Sequence, residues 1–181
     1  MKRVTIFRNP RKEDFSSIID MQIENHKSYL SESDQRNGYV TVLTPHWFLS
    51  KVFSLLARYP TGEPAGYLVV VDCDTVLEHP FLRSFNEKLS SLKFENYAII
   101  AQIGVNRSEV GKRSGIGTQL YDYFFTHVVP FEKYTSVITE VSDGNPSSYR
   151  FHEKFGFENV HDYEDSFGNG FTIMRKIVNH N

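Results

Sequence analysis

At 181 residues the chain is little longer than the roughly 150 residues of an average domain, so one domain spanning residues 1–181 is expected. Apolar residues make up 40% and aromatic residues 14%, enough to build a sizeable core and to exclude a disordered chain. A net charge of −2 and a pI near 6.4 lack the positive field that general nucleic-acid binding requires.

Val4–Arg8 predicts a short strand, and Phe15, Ile18, Ile19 and Ile23 recur at helical spacing after Pro10. Ser31–Gly38 is polar and aperiodic, whereas Thr44-Pro45 ahead of Trp47, Phe48 and Val52 has the form of a helix start. Leu55–Tyr59 and Gly66–Asp72 read as paired strands joined by Pro60-Thr-Gly-Glu-Pro64. Runs such as Tyr67–Val71 are far shorter than the roughly 18 apolar residues of a membrane span, and the first ten residues are too polar for a signal-peptide core. Cys73 is the only cysteine, and no Cys-x-x-Cys or His-Glu-x-x-His spacing occurs, so no metal site is expected and a reducing cytoplasm fits.

Phe81, Phe85 and Leu89 place a helix within Pro80–Lys93, and Tyr97–Val105 is apolar enough for a central strand. Gly115 then opens a helix with the stripe Ile116, Leu120, Phe124 and Val128. Val137–Val141 predicts a strand, Asn145-Pro146 a helix start and Gly156 its stop. Phe157–Tyr163 and Phe171–Ile177 close the chain as a hairpin around Phe167-Gly-Asn-Gly170.

Lys112-Arg-Ser-Gly-Ile-Gly117 lies between a strand and an amphipathic helix, where first-turn amides and the positive helix end attract phosphate. The glycines allow close backbone approach, and Lys112, Arg113 and Arg107 add charge suited to a diphosphate. The plainer alternative is a glycine-assisted turn. A dinucleotide fingerprint would need glycine at 120, which is Leu120, and a P-loop would need four residues between its glycines and Ser or Thr after Lys112; both patterns fail.

Downstream of the next strand comes Asn145-Pro-Ser-Ser-Tyr-Arg-Phe-His-Glu-Lys-Phe-Gly-Phe157. The ordered pair of motifs, each preceded by a strand, resembles the GCN5-related N-acetyltransferase (GNAT) family, in detail over Tyr97–Val160. That resemblance implies an α/β (α+β) fold with a mixed, mostly antiparallel central sheet flanked by helices. It further implies acetyl-CoA as co-substrate, an amine acceptor and, as an expectation, a homodimer. Strands ending at Val105 and Val141 would splay apart to admit the pantetheine arm. Cofactor contacts would come from Ile103, Gly104 and Val105, from Lys112, Arg113, Ser114, Gly115, Ile116, Gly117 and Thr118, and from Asn145 and His152. Two departures stand out: the loop from Val105 to Gly115 is about two residues longer than the family pattern, and Lys112 replaces Gln or Arg.

For direct transfer to an amine, Glu140 or ordered water would be the base. The Gly104–Val105 backbone would stabilise the oxyanion, and His152 or Tyr149 would protonate the departing thiolate. Each has a plainer alternative: a surface or ion-paired carboxylate for Glu140, a hydrogen-bonded core-edge imidazole for His152, a bulge at Gly104 and simple capping by Asn145. Glu95 stands only at the start of its strand. A second class of function is an acyl-CoA-binding sensor or regulatory module that has lost transfer. Glu32, Asp34, Glu164 and Asp165 could attract a cationic acceptor.

Overall fold

The computed structural model describes residues 3–26, 52–73, 83–106, 114–132 and 134–178. The expected polar segment at 31–38, the helix start at 44–45, Phe81, Arg107, Lys112 and Arg113 lie outside the described residues, as do Glu32 and Asp34.

The strands are β1 (Thr5–Arg8), β2 (Val52–Arg58), β3 (Pro64–Asp72), β4 (Tyr97–Val105), β5 (Ser136–Ser142), β6 (Glu158–Glu164) and β7 (Gly170–Ile177). They form a seven-stranded sheet in the order β1-β2-β3-β4-β5-β7-β6. The described helices include α1 (Phe15–Glu24), α2 (Arg83–Leu92), α3 (Ile116–His127), α4 (Val129–Glu132) and α5 (Pro146–Lys154). A mixed, mostly antiparallel sheet flanked by helices is thus the observed fold class. Among the described residues no helix is long and apolar enough to cross a membrane.

The chain divides into two compact units, Met1–Val70 with Ala101–Glu132 and Val71–Ile100 with Lys133–Asn181. In the first, β1 runs antiparallel to β2 from Thr5↔Arg58 to Arg8↔Leu55. Tyr59 N–H donates to Glu63 O and Gly62 N–H to Tyr59 O, both at 2.9 Å, closing the turn between β2 and β3. Phe15, Ile18 and Met21 of α1 pack with Leu56, Tyr67 and Val69 as a core cluster.

The buried line of α1 departs from the apolar stripe. Phe15, Ile18, Gln22 and Asn25 are buried while Ile23 is exposed, because positions 15, 18, 22 and 25 follow the 3.6-residue period and 23 lies about 100° off it. Two polar residues therefore occupy inward positions. Asn25 Nδ2 serves there as a donor to Met21 O at 2.7 Å and Val105 O at 3.3 Å, tying the end of α1 to the end of β4.

In the second unit, Tyr97–Ile100 of β4 pairs in parallel with Ser136–Thr139 of β5. β5 pairs antiparallel with β7 from Ser136↔Ile177 to Ser142↔Phe171, and β6 pairs antiparallel with β7 across an irregularity between Asn159 and His161. The last strand is therefore inserted between two earlier ones. Phe85 and Leu89 of α2 are buried as their spacing predicts, and so is Phe157, which lies just before β6 and against the His152 ring.

Candidate active site

In the first unit the site is built on the start of α3. Gly115 is the N-cap, left-handed at φ 78°, with no side-chain capping bond; a side chain there would cost about 1–2 kcal/mol. The amides of Ile116, Gly117 and Thr118 belong to the first turn and have no intrahelical acceptor. Gly117 and Thr118 are half-buried, as is Ser114, while Ile116 is fully buried and anchors the helix. Gln119 N–H donates to Gly115 O at 3.0 Å, which fixes that first turn. A helix start with a glycine N-cap suits an anionic diphosphate.

The anchor works because Gly66 of β3 lacks a side chain. A Cβ built there would lie 2.8 Å from Gly104 O and 2.9 Å from Ile116 Cγ2. Gly66 thus lets the α3 start and the end of β4 close together, a role missed from sequence although glycine inside a β-rich run signals close approach. On β4, Gly104 is buried and Ile103 and Val105 are half-buried. Asn106 N–H donates to Ala65 O at 2.9 Å, locking the strand end to β3.

In the second unit Glu140 lies on β5, in register with Ile173 of β7. Its Oε1 accepts a hydrogen bond from the Tyr163 hydroxyl of β6. Burial pushes the carboxyl up from 4.5 to about 7; the Tyr163 bond opposes that shift and the negative charge of Asp165 adds to it. Among the candidate bases, Glu140 combines this shift with a defined hydrogen-bond partner, whereas Glu95 is exposed outside β4.

Asn145 caps α5: its Oδ1 accepts the Ser148 N–H at 2.9 Å, and Pro146 occupies the first turn. Tyr149 is half-buried one turn into the helix. His152 is 2% exposed, with its ring edge-on to Phe151 and Phe157 at 5.7 and 5.3 Å. Burial lowers its pKa from 6.5 to about 4, so the imidazole is neutral at pH 7. Burial of this kind disfavours the imidazolium that a proton-donor role would use.

A stability test follows from the sign of the shift. With the unfolded pKa at 6.5 and the folded one near 4, stability from a neutral His152 is complete above pH 6.5 and is lost as pH falls toward 4, by about 3 kcal/mol. Urea unfolding at pH 7.5 and 4.5 should show His152→Gln losing less stability on acidification than the parent. Equal losses in both proteins would remove His152 from this account.

A model of the Acetyltransferase (GNAT) family matches residues 17–157. The chain belongs to the GNAT family. Solved GNAT-fold structures align along nearly its whole length. yncA from Salmonella typhimurium, solved with its cofactor acetyl-CoA, has a TM-score of 0.69 at 14% identity, covering 99% of this chain and 96% of its own. The ribosomal-protein-alanine N-acetyltransferase of Brucella melitensis gives 0.66 at 18% identity, with 96% and 99% covered. Ard1 from Thermoplasma volcanium gives 0.65 at 17% identity, with 97% of each chain covered. At such identities the likeness speaks for the GNAT fold and not for a shared acceptor. The comparison with curated proteins finds no match.

Proposed function

We propose that this GNAT chain transfers an acetyl group from acetyl-CoA to a primary amine directly, without a covalent enzyme intermediate. The observation that carries the reading is Glu140, a carboxyl raised to about 7 and hydrogen-bonded at one oxygen. A free ammonium near pKa 10 gives its proton to an ordinary carboxylate at a cost of roughly 8 kcal/mol; against a carboxyl near 7 that cost falls to roughly 4 kcal/mol. Desolvation therefore supplies about half of the deprotonation that an amine nucleophile needs.

Acetyl-CoA, when bound, supplies the activated acyl group as a thioester. The amides from Arg113 to Thr118 hold its diphosphate, with Lys112 and Arg113 adding charge. Ile103, Gly104 and Val105 bind the adjoining arm through their backbone, and a Gly104–Val105 amide donates to the developing oxyanion. Asn145 adds a cofactor contact to its capping role, and His152 contributes a neutral, shape-defining ring. Tyr149 is the favoured proton donor to the leaving thiolate, because burial lowers the His152 pKa and disfavours the imidazolium that would act as the acid.

Calorimetry with acetyl-CoA and with free CoA, followed by thiol release across a panel of primary amines, tests this reading. Heat on mixing and amine-accelerated thiol release are expected. Tight binding with no turnover across the panel would instead favour the sensor. Absence of heat with either coenzyme, on folded protein, would remove the diphosphate grip.

A further inference from the structure

Glu140, Ile173 and His161 form one row across β5, β7 and β6, and Ser142, Phe171 and Tyr163 form the next. Directly paired residues project to the same face, so Glu140 and Tyr163 share a face although they lie two strands and 23 positions apart. The phenol is held twice: its hydroxyl donates to Glu140 Oε1, and its ring stacks on Phe171 at 5.7 Å and 26°. Tyr163 itself is buried.

Among the described residues, the other charged or titratable groups in register on this face of the unit are Tyr97 on β4, Glu158 and His161 on β6 and Arg175 on β7. The Arg175 guanidinium lies over the Phe94 ring at 4.6 Å. Asp165, in the turn after β6, accepts hydrogen bonds from Phe167 N–H at 2.8 Å and Asn169 N–H at 2.9 Å, which fix its charge. Burial, reinforced by the neighbouring Glu140 charge, pushes the phenol's ionisation far upward, so Tyr163 stays a donor and does not compete as a base.

We propose that Tyr163 is a positioning residue for the acyl transfer: by holding Glu140 Oε1 it reserves Oε2 as the oxygen that takes the proton of the acceptor ammonium. This rests on Glu140 acting as the base. The step balances simply: one N–H bond breaks, one O–H bond forms on Oε2, and the amine is left neutral with its lone pair free to attack the thioester. A glutamate with three rotatable bonds otherwise spreads its carboxylate over many directions. A donor fixed by a stacked ring removes that spread before substrate arrives. Tyr163 and Asp165 then act on Glu140 in opposite senses, the hydroxyl favouring the carboxylate and the neighbouring negative charge opposing it.

The test combines carbon-13 NMR titration of the Glu140 carboxyl with pH profiles of kcat/KM, using acetyl-CoA and the most active amine of the panel. Tyr163→Phe keeps the stacked ring and removes one oxygen. The Glu140 midpoint and the acid limb should both move up by about one pH unit. Turnover should fall roughly tenfold with the KM for acetyl-CoA unchanged. Asp165→Asn should move the midpoint down. In the unsubstituted protein the Tyr163 ring carbon bearing oxygen should titrate at the Glu140 midpoint, a readout independent of whether any variant folds. An unmoved midpoint in Tyr163→Phe, or a silent Tyr163 carbon, would overturn the Tyr163 role even where Glu140→Gln lowered turnover strongly. Full turnover in Glu140→Gln would instead sink the base, and the positioning role with it.

Discussion

Glu140→Gln should lower kcat about 10²–10³-fold while leaving acetyl-CoA affinity within about twofold. The acid limb expected near pH 7, where Glu140 is protonated, should vanish with it. Stability should move the other way. A carboxyl that ionises near 4.5 unfolded and near 7 folded contributes its full stability below pH 4.5 and loses it as pH rises through 7. At pH 8 the protein therefore carries the cost of a buried charge. Gln keeps an acceptor for Tyr163 and removes the charge, so the variant should be about 1–3 kcal/mol more stable at pH 8 and no more stable at pH 4. Pre-steady-state thiol release and urea unfolding at the two pH values check both halves. Unchanged turnover would force a search for another base.

Gly66→Ala carries the second large effect. Its Cβ would stand 2.8 Å from the Gly104 carbonyl, a backbone atom, and 2.9 Å from Ile116 Cγ2 at the anchor of α3. Neither neighbour can swing aside as the tip of a long side chain could. The start of α3 must tilt away from β3, at about 1–3 kcal/mol, which lowers Tm by roughly 3–10 °C in a chain of this size. The first-turn amides proposed to hold the diphosphate move with it, so on that reading calorimetric affinity for CoA should fall at least tenfold. Gly62→Ala is the control: a Cβ at Gly62 meets nothing within 4 Å, although its φ of 91° adds local strain. It should cost stability without touching CoA binding. Wild-type affinity in Gly66→Ala would separate the α3 start from coenzyme recognition.

Much of the fold was legible because its punctuation is local. β4 coincides with the apolar run Tyr97–Val105, Gly115 is the left-handed start of α3, and Asn145 with Pro146 caps α5 as their side chains dictate. Errors arose where burial follows geometry and not residue type, as on α1, where Gln22 and Asn25 turn inward and Ile23 outward. The four-residue α4 left no periodic signal.

Within the site, Glu140 was readable as a candidate from its place near a strand end. Its partner was not, since the bond to Tyr163 depends on β7 entering between β5 and β6. Gly66 was hidden for a similar reason: the spacing of residues 66, 104 and 116 carries no sequence signature, and only their meeting explains the missing side chain. His152 lies in the motif where the resemblance implies a proton donor, yet no pattern of letters reports the burial that lowers its pKa.

The insertion of β7 between β5 and β6 has a consequence for truncation. β6 lies at the sheet margin with β7 as its hydrogen-bonding neighbour, so a chain truncated after Glu164 offers that strand no mate. Such an open edge is a target for mispairing with other chains. Loss of Gly170–Ile177 would leave β6 unpaired and strip β5 of one flank together.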